Sequence, residues 1–282
     1  MLFFNLISRL PLTVLYFLSD LLYLLIFRIV KYRKKIVYSN LKNSFPDLSE
    51  PEIQKIQKTF YKHLCDLIFE SLKLLTISEE NLLKRVRIKN IDLPVSQISK
   101  GNTIIVACGH TGNWEWLLQA SVLQTPYPAD AVYKPLSSKF FDKLMLTIRS
   151  RFGASPLPMK EVPRSIVRKK DIARGIAMVA DQTPPKAEIQ YWNTFMHQDT
   201  AWFVGIEKIA RMAELPVYYV GMNKISRGHY EIYFEEIALP PYDKNQPGNP
   251  IIEELSRKLE ANIRNQPAYW LWSHRRWKHK KD

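Results

Sequence analysis

The sequence predicts an α/β fold: a mixed, mainly parallel sheet flanked by helices, preceded by a long apolar helix at the amino terminus. Three observations predict it. From residue 86 onward, short runs rich in Val, Ile and Tyr alternate with helical runs, the texture of helices laid on the faces of a sheet. Residues 2–30 are apolar almost throughout and long enough to cross a bilayer. Several strand-like runs end in polar side chains, and ligands gather at the carboxyl ends of strands in such sheets. The length, 282 residues with ordinary hydrophobic content, allows one large domain or two small ones around a real core.

The apolar segment is interrupted only by Asn5, Ser8, Arg9, Thr13, Ser19, Asp20 and Arg28. No small-residue cleavage site follows, which argues against a removed signal peptide. Asp20 would be costly in mid-bilayer, so residues 1–30 are expected to be an embedded or steeply tilted membrane anchor rather than a clean span. The competing expectation is a buried core helix with Asp20 paired. Arg28, Lys31, Arg33, Lys34 and Lys35 come next; such a cluster marks the cytoplasmic side and attracts anionic headgroups.

Residues 31–282 are expected to form the working domain: a helical lead-in over 31–85 and an α/β core over 86–282 that ends in a basic, aromatic tail. In the lead-in, Ser49-Glu50-Pro51-Glu52 reads as a capping box with Pro in the first turn. It opens a helix whose core stripe is Ile53, Ile56, Phe60, Leu64, Leu67, Ile68, Leu72 and Leu75, with His63 and Cys65 as packing residues. Strands are expected at 86–91, 103–107, 131–133, 176–180, 217–220 and 230–237, the last pairing antiparallel with 217–220 through a turn at 226–228. Helices are expected at 114–124, 139–151, 163–168, 202–213 and 251–264.

The net charge is +14 with His neutral, from 41 basic and 27 acidic residues. That excess implies a polyanionic neighbour. No zinc-finger, helix-turn-helix or RNP-like pattern accompanies it, which argues against nucleic acid and leaves an anionic membrane surface, a phosphorylated substrate or an acidic carrier protein. Two cysteines, Cys65 and Cys108, are too few for a disulfide framework, and no metal-ligand spacing is present.

Chemistry concentrates at three strand ends. The first is Cys108-Gly109-His110-Thr111-Gly112-Asn113-Trp114-Glu115, where a strand hands over to a helix. His110 and Glu115 would sit roughly 140° apart if both were helical. They can meet only if His110 lies in the loop and Glu115 faces back from the first turn, with Gly109 and Gly112 supplying backbone freedom. A carboxylate on one imidazole nitrogen fixes the tautomer and leaves the other free as a base. No nucleophile is obvious, since Cys108 reads as a packed strand-end residue, so the pair suits activation of a hydroxyl that arrives on a substrate. The other strand ends are Lys134-Pro135, with Arg149 on the helix beyond, and Asp181-Gln182-Thr183. The plainer readings are a turn cap for Asp181 and a solvated helix face for Arg149.

Taken together, these stretches resemble the bacterial lipid A late acyltransferases (lauroyl/myristoyl transferases) of the lysophospholipid acyltransferase superfamily. The resemblance rests on the apolar amino terminus, His-x4-Glu at His110 and Glu115, Val132-Tyr133-Lys134-Pro135 with Arg149 downstream, Asp181-Gln182-Thr183-Pro184, and the tail Trp272-Ser273-His274-Arg275-Arg276-Trp277. It covers nearly the whole chain in order. It implies a glycerolipid acyltransferase-like fold on the cytoplasmic face of the inner membrane. The implied reaction moves a fatty acyl group from acyl carrier protein or acyl-CoA to a hydroxyl of a lipid A precursor, without a cofactor. His110 would be the base, and Glu115 would hold it. Arg149, Lys134, Asp181 and Gln182 would bind substrate, and Gly112 and Asn113, at the helix start, would offer backbone N–H groups to the oxyanion. Two positions depart from the pattern: Lys134 stands where Arg is common, and Phe195-Met196-His197 replaces a Phe-Phe-Gly block. Lys offers a point charge rather than a bidentate fork, so the acceptor could be another lipid, such as a glycerophospholipid, aminolipid or glycolipid. A tethered lipid- or carrier-binding protein without catalysis is the reading from a different class.

Overall fold

The structure is a computed structural model that describes residues 2–243 and 245–281. Eleven helices, among the described residues, precede, separate and follow nine strands. The lead-in comprises α1 (Leu2–Arg9), α2 (Leu12–Tyr23), α3 (Lys34–Ser44), α4 (Glu50–Lys73) and α5 (Glu79–Leu83). Then come β1 (Val86–Ile88), α6 (Asp92–Ile98), β2 (Ile104–Cys108), α7 (Trp114–Leu123), β3 (Ala129–Tyr133), α8 (Lys139–Ser150), β4 (Ser155–Pro158), α9 (Val162–Arg168) and β5 (Gly175–Val179). The chain continues through β6 (Tyr191–Phe195), β7 (Gln198–Trp202), α10 (Gly205–Ala213), β8 (Val217–Ser226), β9 (His229–Ala238) and α11 (Pro250–Asn265).

Seven strands form one sheet in the order β1–β9–β8–β2–β5–β3–β4, with every neighbouring pair parallel except β8–β9. This is the mixed, mainly parallel sheet that the alternation predicts. β2 runs through its middle because it is apolar on both faces, as a strand covered on both sides must be. Ile105 and Ala107 face one core with Ile176, Met178, Val217 and Tyr219, under α4, α10 and α11. Cys108 faces the other with Val220, Met222 and Phe234, under α5, α7 and α8. In register, Ile105 stands opposite Ile176 and Val217, and Cys108 opposite Val179.

Several boundaries differ from expectation. The strand at 86 stops at Ile88 and is followed by α6. The edge strand β4 has two prolines, which read as loop in the sequence but are tolerated at a sheet edge. The helix expected from 202 begins only at Gly205, and residues 191–195 and 198–202, for which no strand was expected, form a separate hairpin, β6 and β7. Its turn residues, Met196 and His197, both have positive φ (52° and 61°) and lack the Gly or Asn that ordinarily signals such a turn. Glu260 holds it by accepting the Met196 N–H at 2.8 Å.

The apolar amino terminus is not one helix. Pro11 lacks an N–H and separates α1 from α2, and α2 runs into a π-helical stretch, Leu24–Ile29. By length and composition alone, Leu12–Ile29 could cross a membrane. One face of α2 lies along α4. Tyr16 donates to Glu70 (2.8 Å), Ser19 donates to Asp66 (2.8 Å), and Asp20 pairs with Arg227 of the β8–β9 turn (2.8 Å). The opposite face leaves Val14, Phe17, Leu21, Leu24, Leu25 and Ile29 exposed. The charge that made a clean span costly is therefore paired, as the buried-helix expectation required, while the outer face stays apolar.

The capping box forms as read, with the Glu52 carboxylate accepting the Ser49 N–H at 2.8 Å. His63 and Cys65 are buried on α4, whereas Ile68, assigned to the same stripe, is exposed. Glu70 is the hub of α4. Fully buried, it accepts from Tyr16 (2.8 Å), from Asn113 at the start of α7 (2.7 Å) and from Tyr230 of β9 (2.7 Å). Replacing Glu70 by Ala strands three buried donors at about 1–3 kcal/mol each. The expected outcome is a loss of about 3 kcal/mol or more, read as a lowered melting temperature of the detergent-solubilised protein. Glu70→Gln, which keeps an acceptor oxygen, should melt between the two.

Candidate active site

β2 and β5 are parallel neighbours with Cys108 opposite Val179. Two residues beyond each strand stand His110 and Asp181, so the sheet itself sets them side by side. The Asp181 carboxylate accepts His110 Nδ1–H at 2.6 Å through one oxygen. Its other oxygen accepts the His110 backbone N–H (2.7 Å) and the Trp270 indole N–H (2.7 Å). Asp181 is buried, 2% exposed. Burial alone would raise its pKa, but the charge and hydrogen bonds of His110, with the Trp270 bond, outweigh burial and hold it down to about 2. It is therefore an anion at neutral pH, and it fixes the imidazole with its proton on Nδ1. Nε2 is left as the acceptor, and the exposed amide of Gln182 donates to it at 3.4 Å. The imidazole is 15% exposed and packs edge-on against Trp114, centroids 4.9 Å apart.

Glu115 forms no hydrogen bond with His110. Asn113 caps α7 by accepting the Trp116 N–H at 3.0 Å, which turns Glu115 in the first turn toward α8. There it holds Arg149 in a two-bond fork, Nε to Oε2 at 3.0 Å and Nη2 to Oε1 at 2.6 Å. Burial would lower the Arg149 guanidinium, yet Glu115 outweighs it and raises it above the ordinary value. The expected His110–Glu115 contact is thus replaced by two pairs, His110–Asp181 and Glu115–Arg149. Asp181 caps no turn, and Arg149 is no solvated surface residue. Lys134, just past β3, is exposed and forms no ion pair among the described residues.

The backbone expectations also need correcting. The Gly112 N–H is taken by Tyr269 O at 2.8 Å, and the Asn113 N–H points at the Met222 sulfur (3.1 Å), so neither is free for an oxyanion. Gly112 does use its freedom, with φ +58°. Gly109 is needed for room instead: a Cβ there would lie 2.5 Å from Leu259 Cδ1 and 3.0 Å from Asp181 Oδ2. Cys108 is buried at the strand end and its thiol is pushed up by burial, consistent with packing.

Residues that sequence reasoning passed over lock the loop. His63, read as packing, donates Nε2–H to Gly112 O at 3.0 Å and accepts Lys224 Nζ on Nδ1 at 3.2 Å. Burial keeps it neutral, well below its ordinary pKa. In the basic, aromatic carboxy-terminal tail, Trp270 and Trp272 are core residues. Leu271 N donates to His110 O (3.1 Å), and Thr183 N donates to His274 Nε2 (3.1 Å). A tail of alternating Trp and cations carried the signal of burial as much as of interface; only the partners distinguish them.

A polar cleft adjoins this edge, and an apolar cavity lies toward the opposite, amino-terminal ends of β2, β3 and β5. The cleft, of about 540 Å³, lies between α2, α4 and the β8–β9 hairpin, lined by Asp20, His63, Asp66, Lys224 and Arg227. The cavity, of about 80 Å³, lies under α7, lined by Val106, Leu117, Leu118, Val122, Ala177 and Phe234 among others.

His274 generates a pH prediction. Burial pushes its imidazole down to about 4, against an ordinary 6.5, and the neutral ring accepts the Thr183 N–H. An unfolded chain takes up that proton near 6.5. The contribution is therefore complete above about pH 6.5 and lost as pH falls toward about 4. His63 adds to the slope in the same direction. His274→Asn, whose side-chain oxygen can still accept, should flatten the fall of melting temperature over that window by about one proton's worth; an unchanged slope would refute the assignment.

Against known proteins, the chain matches the family model described as bacterial lipid A biosynthesis acyltransferase over residues 1–279. No curated protein matches it. The family match takes in the amino-terminal helices, both polar pairs and the tail through Trp277. The chain therefore belongs to the bacterial lipid A biosynthesis acyltransferase family, whose activity is acyl transfer in lipid A assembly.

Proposed function

We propose that this chain moves a fatty acyl group from a thioester, acyl carrier protein being the expected donor, to a hydroxyl of a lipid A precursor at the cytoplasmic face of the inner membrane. The observation that carries the reading is the Asp181–His110 pair, with Nε2 as the outward acceptor. The acceptor hydroxyl displaces the Gln182 amide and gives its proton to Nε2. Its oxygen attacks the thioester carbonyl carbon, and the tetrahedral intermediate collapses with cleavage of the C–S bond. The imidazolium then returns the proton to the departing thiolate, leaving an ester and a free thiol. A hydroxyl is a poor nucleophile at neutral pH, so a positioned base supplies about 10²–10⁴ in rate. Asp181 contributes by keeping the tautomer and by stabilising the transient imidazolium.

Glu115 is assigned to positioning rather than to the base. It presents the Arg149 guanidinium, whose Nη1 has no partner among the described residues, to phosphate on the acceptor or to charge developing on the thioester oxygen. Lys134, exposed at the same edge, adds a second cation for an anionic substrate. The basic excess steers an acidic carrier and a phosphorylated lipid toward this side. The bonds from α2 to Glu70, Asp66 and Arg227 support an anchor that lies in the membrane surface with the domain attached, rather than one crossing alone.

Mass spectrometry of lipid A from cells lacking this protein tests the function. One missing acyl chain, restored by the wild-type chain and not by His110→Ala, is the expected result; an unchanged profile removes the assignment. With purified protein, His110→Ala and Asp181→Asn should each lower kcat by about 10²-fold or more while the fold is kept. Wild-type turnover in His110→Ala excludes the base. Glu115→Gln and Arg149→Ala should together cost less than the sum of their separate effects, because they remove one interaction. Strict additivity would dissolve the pair as a functional unit.

A further inference from the structure

The outer face of α1 and the first turn of α8 form one apolar surface. On α1, Leu2, Phe3 and Leu6 are exposed. Phe4, on the inner side, packs against Phe140 and Phe141 of α8, with ring centroids 5.8 and 6.4 Å apart. Those two rings are themselves 43% and 51% exposed, and Leu136, just before the helix, is 49% exposed. Aromatic side chains left half open to water at a helix start need a partner, since monomeric surfaces rarely carry contiguous apolar patches of this kind.

The surroundings indicate which partner. Lys139 and Lys143, on either side of the two rings in the sequence, and Lys134, before the helix, are exposed and form no ion pair among the described residues. The one acid of the turn, Asp142, is occupied in accepting the Leu136 N–H at 2.8 Å. Apolar rings bordered by free lysines fit insertion at the headgroup–acyl boundary, where apolar side chains sink about 5–10 Å and cations draw anionic lipids. The patch is continuous with the exposed face of α1 and so with the anchor.

We propose that the amino-terminal end of α8, through Phe140 and Phe141, is a second lipid-inserting element that seats the strand-end edge of the sheet on an anionic bilayer. The proposal rests on the reading of α1 and α2 as the membrane anchor. It adds a second point of attachment, which fixes the tilt of the domain as one point cannot. α8 then links bilayer and chemistry directly. Phe141 and Arg149 lie on the same helix, eight residues and about 12 Å apart. With Phe141 among the acyl chains, the Glu115–Arg149 pair stands at about headgroup height, where a lipid acceptor carries its polar groups.

The test uses the full-length protein carrying one nitroxide at a time, at Phe141→Cys, Phe17→Cys or Lys100→Cys. Cys65 and Cys108 are buried, and the labelled wild type sets their background. Accessibility to oxygen and to a water-soluble nickel complex is measured on vesicles of phosphatidylethanolamine and phosphatidylglycerol, three to one. The expected pattern is lipid depth at positions 141 and 17 and water at 100. Lipid at 17 with water at 141 overturns the role of α8 and leaves the anchor standing. Water at both, with the protein on the vesicle, overturns the anchor reading and this proposal with it. A signal at 141 that is quenched only by adding acyl carrier protein means that the patch serves the donor instead, and also overturns it. As a second arm, Phe140→Ser with Phe141→Ser should weaken partitioning onto the same vesicles about tenfold or more, while turnover of detergent-dispersed substrate stays within about twofold. Unchanged partitioning counts against the proposal.

Discussion

One buried carboxylate organises the strand-end edge of this molecule. Asp181 is removed from water and must stay charged, which is costly unless donors surround it. Three N–H groups do so, two from His110 and one from Trp270. The same bonds that make its burial tolerable orient the imidazole, hold the backbone of the loop and draw in the carboxy-terminal tail. Removing any one of those donors would disturb both the charge and the geometry it supports.

The loop that carries His110 is held from two further sides. From the tail, Leu271 and Tyr269 bond His110 and Gly112 in a short antiparallel bridge. From α4, His63 reaches Gly112 O and Glu70 reaches Asn113. Glu70 also binds Tyr16 of α2. A chain of short polar contacts therefore runs from the apolar amino-terminal helix, through α4, to the strand end where the imidazole sits. Segments far apart in the sequence, the first helices and the last residues, meet at one short loop, which is held by bonds to His110, Gly112 and Asn113 from both sides.

The general architecture was legible because it depends on pattern. Alternating short apolar runs and helical runs specify a helix-covered sheet, and the turn at residues 226–228 announces the β8–β9 hairpin. The capping box at Ser49 forms because its two partners are three residues apart. Where partners are distant, reading failed. The β6–β7 hairpin turns on Met196 and His197, whose positive φ is sustained by Glu260 on α11 rather than by residue type. Trp270 and Trp272 look like interface aromatics until their neighbours are known, since an indole buried in a core and one at headgroup height share composition.

The sequence by itself determined which side chains stand at the strand ends: His110, Lys134 and Asp181 follow apolar runs whose nature leaves them at the sheet's carboxyl edge. It also determined that the amino-terminal segment would expose an apolar face. Only the tertiary structure decided which acid serves which base. Chain proximity pointed from His110 to Glu115, but a helix start capped by Asn113 turns Glu115 away toward Arg149. Strand order places β5 beside β2 in matching register, bringing Asp181 to His110 across a separation of seventy-one residues. Periodicity reports which face a residue occupies; it carries no information about which strand lies next to it.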